Sequence, residues 1–223
     1  MRHSGKLIVI EGLDGTGKAT QTKILFEKLK KEGFSPVVFD FPLYHTFWGK
    51  IVALYLHGEY GQVSEVNPYF SSILYSLDRW QIKDKIRKFL KDRKIVIANR
   101  YSTSNFLYQS VKLKKKKEKE IFLKWLEKIE YKFFGLPKPD LVIYLKLPYY
   151  LSRKLLKKKN KKFDHHEKNE KFLKMVEKNS SFIIKKYHWK IVPCEKNKRI
   201  LSKKEIAEKI WKIVYPKIAN LKI

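Results

Sequence analysis

The residues whose types and spacing could do chemistry are Glu11-Gly12-Leu13-Asp14-Gly15-Thr16-Gly17-Lys18-Ala19-Thr20, directly after the apolar run Leu7-Ile8-Val9-Ile10. Gly12 and Gly17-Lys18 have the Walker A spacing, G-x-x-x-x-G-K-[ST], with Ala19 in place of the metal-binding hydroxyl and Thr20 one position later. Glycines let backbone N–H groups converge on a phosphate. The positive end of the helix that follows adds attraction, and Lys18 supplies a point charge. A glycine-rich hairpin turn is the competing reading; the apolar strand before the loop and the helical pattern after it weigh against it. The stretch reads as a cradle for nucleotide phosphate, built from Gly12, Gly15, Thr16, Gly17, Lys18, Ala19 and Thr20.

A cradle of this kind needs a strand to carry it and a sheet around that strand. Leu7–Glu11 reads as a fully buried parallel strand, Thr16–Glu32 as the helix after it, Gly33 as its C-cap and Pro36–Phe41 as strand two. Phe47–Leu56 predicts a short helix, and the apolar spacing of Pro68–Leu90 predicts one long helix. Ile95–Ala98 is strand three, followed by helices over Asn105–Lys112 and Glu118–Phe134, the latter closed by Gly135. Asp140–Leu145 is strand four and Trp189–Val192 strand five, with helices at Tyr149–Lys158, Glu167–Lys186 and Lys203–Ile218. Five apolar strands alternating with helices predict an α/β fold, a five-stranded parallel sheet with helices on both faces. The charged stretch Lys157–His166 lacks an apolar stripe and reads either as a small mobile lid, within about residues 153–166, or as a solvated connection.

The 223 residues fit one domain spanning 1–223, and 43% hydrophobic residues are enough for a substantial core. The single cysteine, Cys194, excludes a disulfide framework, and there is neither a long apolar run nor a signal-peptide core, so a cytoplasmic protein without a membrane partner is expected. The net charge of +29 suits attraction to polyanions. Lysine is abundant everywhere, however, and its densest runs, Lys112–Lys117 and Arg153–Lys162, do not interleave exposed aromatics. Compositional drift with steering of anionic substrates is favoured over any specific nucleic-acid role.

In an open parallel sheet ligands bind at the carboxyl ends of the strands. The segments there are Asp14 to Lys18, Phe41-Pro42-Leu43-Tyr44, and Asn99-Arg100-Tyr101 through Ser104-Asn105 to Tyr108-Gln109. Together with Leu77-Asp78-Arg79 and Pro139-Asp140-Leu141, these ordered blocks resemble the thymidylate kinase family from residue 7 to about 148. The resemblance is softer beyond, where Asp164-x-x-Glu167 is similar to the end of the family lid. It implies a P-loop NTPase fold and direct in-line transfer of the ATP γ-phosphoryl group to dTMP, giving dTDP for dTTP synthesis, with Mg²⁺ as cofactor and a homodimer as the assembly.

The resemblance also implies roles. Lys18 and the loop amides hold the ATP phosphates. Asp14 orients the acceptor phosphate and its metal environment, and Arg100 binds that phosphate as a bidentate, always-charged group with Tyr44 donating alongside. Arg79 reaches thymine O4, Tyr75 stacks on the base and Asn105 pairs with its N3 edge. Tyr108 excludes a 2′-hydroxyl, and Phe41 and Ser104 complete the dTMP site. Taken as residues alone, Tyr75 and Tyr108 read better as core aromatics, and Arg79 as a surface neighbour of Asp78 or half of a structural ion pair. A metal site at His165-His166 is disfavoured because no carboxylate pattern accompanies it beyond Asp164 and Glu167.

Three departures from the family pattern stand out. Ala19 lacks the hydroxyl, and Asn99 replaces an aspartate, which predicts weaker metal coordination through water. The third is that the lid carries lysines where relatives have arginine; with no basic residue in the loop at Gly15-Thr16, the catalytic cation is expected from the lid, among Arg153, Lys157, Lys158, Lys159, Lys161 and Lys162. Two other readings remain: a nucleoside or nucleotide kinase of the same fold with another acceptor, and a non-catalytic nucleotide- or nucleic-acid-binding relative.

Overall fold

The structure, a computed structural model, describes residues 5–158 and 170–221, leaving aside the side chains of residues 157 and 158. Strand β1 (Lys6–Gly12) is apolar on both faces because it is central. Leu7 and Val9 meet Ile86 and Leu90 on one side, and Ile8 and Ile10 meet Leu25 and Leu29 on the other. Helix α1 (Lys18–Lys31) follows, then β2 (Pro36–Asp40), α2 (Phe47–His57), α3 (Pro68–Trp80) and α4 (Lys83–Lys91). Next come β3 (Ile95–Asn99), α5 (Ser102–Tyr108), α6 (Lys116–Glu127), β4 (Leu141–Lys146), α7 (Tyr149–Lys158) and α8 (Glu170–Tyr187). Strand β5 (Lys190–Pro193), the hairpin pair β6 (Glu195–Lys196) and β7 (Arg199–Ile200), and α9 (Lys203–Ile218) complete the order.

The main sheet is five-stranded and parallel, as expected, and its strands run in the order β2-β3-β1-β4-β5. Helices α1 and α9 cover one face through Leu25, Leu29, Ile206, Ile210 and Val214. On the other face α4 packs through Ile86 and Leu90, while α5, α6 and α8 pack through Phe106, Phe122, Leu126 and Val176. The register brings Asp40 level with Asn99, Asn99 with Ile10, and Gly12 with Leu145, so four strand ends form one edge.

Several elements differ from the sequence expectation. The helix expected over Pro68–Leu90 breaks after Trp80. The Gln81 amide turns back to donate to Asp78 O at 2.9 Å and to Thr46 Oγ1 at 2.7 Å, and that second contact lies 35 residues away. The helix expected from Asn105 starts earlier, at Ser102, and ends in a 3₁₀ turn at Ser110–Lys112. The helix expected to run to Phe134 is α-helical only to Glu127 and continues as a π-helix over Lys128–Phe133. The β6–β7 hairpin has no counterpart in the expectation. The expected lid lies mostly outside the described residues, and so do the side chain of Lys158 and all of Lys159, Lys161, Lys162, His165 and His166.

Candidate active site

The cradle closes as its glycines require. Gly12 has φ +150, and a Cβ there would stand 2.7 Å from Thr16 Oγ1 and 2.9 Å from the carbonyl of Leu145. At Gly15, φ +82, a Cβ would fall 2.6 Å from the Ser152 carbonyl and 2.7 Å from Leu156. Helix α7 therefore lies directly on the loop, which leaves no room for a basic side chain at position 15. Lys18, at the start of α1, is buried, with Nζ 3.0 Å from Gly12 O, 2.9 Å from Leu13 O and 3.5 Å from Asp14 Oδ1. Burial, followed by repulsion from Arg100, lowers its pKa to about 8 against the opposing pull of Asp14 and Glu11.

Asp14 joins the loop to strand β3. Its Oδ1 takes a charged hydrogen bond from Arg100 Nη2, and Oδ2 accepts from the Tyr108 hydroxyl at 3.4 Å. Burial is the largest single influence and works against the Arg100 charge, but Asp14, Tyr108 and Glu11 together outweigh it and hold the guanidinium protonated. Arg100 also lies over the Tyr108 ring, 5.1 Å from its centroid, and its backbone adopts φ +63 directly after β3. A left-handed residue with a Cβ costs about 1–3 kcal/mol and persists where its surroundings enforce it. Here they include the bond from Arg100 N to Ile10 O at 3.2 Å.

Two clefts meet at this junction. One, about 1000 Å³, runs along the loop past Gly15, Gly17, Lys18, Ala19 and Thr20. The other, about 550 Å³, is lined by Leu56, Tyr75, Arg79, Ser104, Asn105 and Tyr108. Asp14, Phe41, Pro42, Tyr44 and Arg100 border both. The Phe41–Pro42 bond is cis, and Asp78 anchors the loop by accepting from Leu43 N at 3.2 Å, which ties the Asp78-Arg79 block to the Phe41–Tyr44 block. Tyr75 stands edge-on to Tyr55, with 5.8 Å between ring centroids.

Arg79 shows the ion-pair reading offered for it, at a place that also borders a cleft. It lines the second cleft and is also half of a buried ion pair with Glu130. Arg153 is half-buried on α7 and acts electrostatically on Tyr149; among the described residues the α7 side chain bordering the loop cleft is Leu156.

Magnesium binding can be tested against the donor set. A small hard cation takes oxygen ligands and retains several waters. Asp14, Thr20, Asp40 and Asn99 all border the loop cleft, and the buried Asn99 Oδ1 accepts no hydrogen bond. This set fits a cation that borrows ligands from phosphate and water. Among the described residues no cluster of three or more His, Cys, Asp or Glu side chains could hold one without such help.

Sequence reasoning missed three residues. Glu11 is fully buried with Oε1 accepting from Thr103 (2.6 Å) and Ser104 (2.8 Å), and it could have been noted as a carboxylate ending an apolar strand. Asp40 ends β2 beside Asn99 and was legible in the same way. Glu130 falls four residues after Leu126, on the buried stripe of Phe122 and Leu126, where a charge needs a partner.

The family model described as Thymidylate kinase matches residues 10–206. The putative thymidylate kinase 251L of Invertebrate iridescent virus 6 is 37% identical over 142 residues, 63% of this chain and 60% of the viral protein. The thymidylate kinase of Plasmodium falciparum (isolate 3D7) is 34% identical over 147 residues, covering 66% of this chain and 64% of that protein. Each alignment thus spans less than two thirds of the relative. A solved structure of thymidylate kinase from Candida albicans superposes with a TM-score of 0.75 at 26% identity, over 96% of this chain and 92% of that one.

Proposed function

Because the chain belongs to the thymidylate kinase family, we propose that it transfers the γ-phosphoryl group of ATP to dTMP by direct in-line displacement, giving dTDP and ADP. The observation that carries this reading is the junction of the two clefts. Lys18 stands on one side, Arg79 and Asn105 on the other, and Asp14, Tyr44 and Arg100 border both. ATP phosphates lie in the loop cleft and the dTMP base lies against Tyr75, Arg79 and Asn105. That placement brings the two phosphates together beside Arg100.

The residues divide the work by charge. Lys18 and the loop amides neutralise the donor phosphates, and Arg100 with Tyr44 holds the acceptor phosphate for attack. Asp14 fixes the Arg100 fork, and Tyr108 closes the floor beneath it. A monophosphate oxygen is already anionic near neutral pH, so no side-chain base is needed. Asp14, Asp40 and Asn99 would hold a magnesium ion, which would supply further neutralisation of the donor phosphates. The last cation comes from the segment beginning at Arg153 and Lys158. Exposed Phe70, Trp80 and Phe133 support the expected homodimer. A cytoplasmic location is part of this proposal; separately, no helix among the described residues is long and apolar enough to cross a membrane.

The test is a coupled ADP-release assay with ATP and a panel of dTMP, dUMP, dCMP, AMP and UMP. ADP release with dTMP foremost is expected; activity confined to AMP or UMP would remove the assignment.

A further inference from the structure

Glu130 is fully buried and collects three side chains, two from α3 and one from α5. Its Oε1 accepts from Ser76 Oγ at 2.9 Å, from Asn105 Nδ2 at 2.9 Å and from Arg79 Nη2, while Oε2 accepts from Arg79 Nε at 3.4 Å. Asn105 Nδ2 also donates to the Ser72 carbonyl at 3.2 Å. Both acceptors claim the amide nitrogen, so the orientation of Asn105 is decided. Its oxygen is the end left for the cleft that Asn105 lines. Arg79, pinned along one edge of its guanidinium, lines the same cleft as a pure donor.

We propose that Glu130 is a positioning residue that sets the hydrogen-bonding polarity of the base pocket, so that it accepts a pyrimidine with a carbonyl at C4 and an N–H at N3 and rejects one with an amino group at C4 and a bare N3. The proposal rests on the reading of the second cleft as the dTMP site. Thymine and uracil offer an acceptor to Arg79 and a donor to Asn105 Oδ1. Cytosine offers the reverse at both points, donor against donor and acceptor against acceptor. Mismatches of this kind leave buried polar groups without partners, which is how a hydrogen-bonding pocket discriminates strongly.

The Glu130→Gln variant probes this because a carboxamide has one oxygen and one NH₂ group. Where its NH₂ faces Asn105 it opposes that side chain's N–H, which leaves the Ser72 carbonyl to resist a turn of the Asn105 amide. That turn would bring Asn105 Nδ2 into the cleft, where it matches the bare N3 of cytosine. Steady-state kcat/KM is measured on the full chain with dTMP, dUMP and dCMP. In Glu130→Gln, dTMP and dUMP are expected to fall together while dCMP does not, so that the dCMP-to-dTMP ratio rises about tenfold or more.

An equal fall for all three nucleotides, or no change in any, would overturn the proposal. If Glu130→Gln does not fold, Glu130→Asp keeps the charge but draws the carboxylate back from Asn105, and the same ratio must rise. An unmoved ratio there, or unfolding of both variants, assigns Glu130 a structural role only and overturns the proposal. A parent chain inactive on dTMP would instead fail the functional reading itself, so the two failures are distinguishable.

Discussion

Asn99 donates its side-chain amide to the carboxylate of Asp40 at 2.6 Å, across the carboxyl ends of strands β3 and β2. Judged by its own side chain, Asn99 deprives the loop cleft of a carboxylate. The sheet register returns one from the neighbouring strand, because Asp40 borders the same cleft as Lys18 and Thr20. The amide bond also aims the Asn99 oxygen away from Asp40, and that oxygen is the buried acceptor without a partner.

This pairing predicts that Asp40 matters to the metal although it lies outside the phosphate loop. Asp40→Asn is expected to weaken Mn²⁺ binding to the protein–ADP complex about tenfold, read by electron paramagnetic resonance, with a matching rise in the magnesium needed for turnover. Asn99→Asp alone sets two carboxylates within about 3 Å, where one of them holds a proton. The double swap, Asp40→Asn with Asn99→Asp, restores one carboxylate and one amide and should recover binding. Mn²⁺ affinity unchanged in Asp40→Asn would contradict this role.

Arg100 is expected to separate stability from activity. Its left-handed backbone suits glycine, so Arg100→Gly relieves strain while Asp14 keeps Lys18 nearby. Unfolding free energy by urea titration should stay within about 1 kcal/mol of the parent. The loss of a charged bidentate contact should cost kcat/KM for dTMP about a hundredfold. Arg100→Lys, which keeps charge without the fork, should fall between. A stability loss as large as the activity loss would show that Arg100 is chiefly structural.

A buried lysine away from the junction gives a pH dependence. Lys112 Nζ donates to Val66 O at 2.9 Å and to the Tyr55 hydroxyl at 3.1 Å, and burial lowers its pKa to about 7. Between pH 7 and the unfolded value of 10.5, the unfolded chain keeps a proton that the folded chain has released. Stability contributed by this group therefore rises with pH across that window and is lost as pH falls through about 7. Urea unfolding of the parent and of Lys112→Met should show the parent gaining on the variant from pH 6.5 to 9.5. Parallel curves would mean that Lys112 stays charged in the fold.

The strands were legible because each is an apolar run bounded by turn residues, and Leu7–Ile10 placed the loop at the sheet's carboxyl edge. Helix α9 was legible for a similar local reason: Ser202 and Glu205 form a capping box, with Glu205 N donating to Ser202 Oγ at 3.2 Å. The break at Gln81 was not, since the apolar stripe runs straight through it and its cause, the bond to Thr46, is a tertiary contact. The π-helical turn was hidden in the same way, because a helix with one residue more per turn keeps nearly the same pattern over six residues. The site shows the same division. Lys18 and Arg100 announced themselves by their places at strand ends, whereas the partners of Glu130 lie on other elements and no spacing brings them together.

The most direct test of the central claim is transfer of label from γ-³²P-ATP to a nucleotide acceptor, with products separated by chromatography. Label is expected in dTDP, one for each ADP formed, when dTMP is supplied. Label released only as inorganic phosphate, or carried only by a ribonucleotide acceptor, would contradict it.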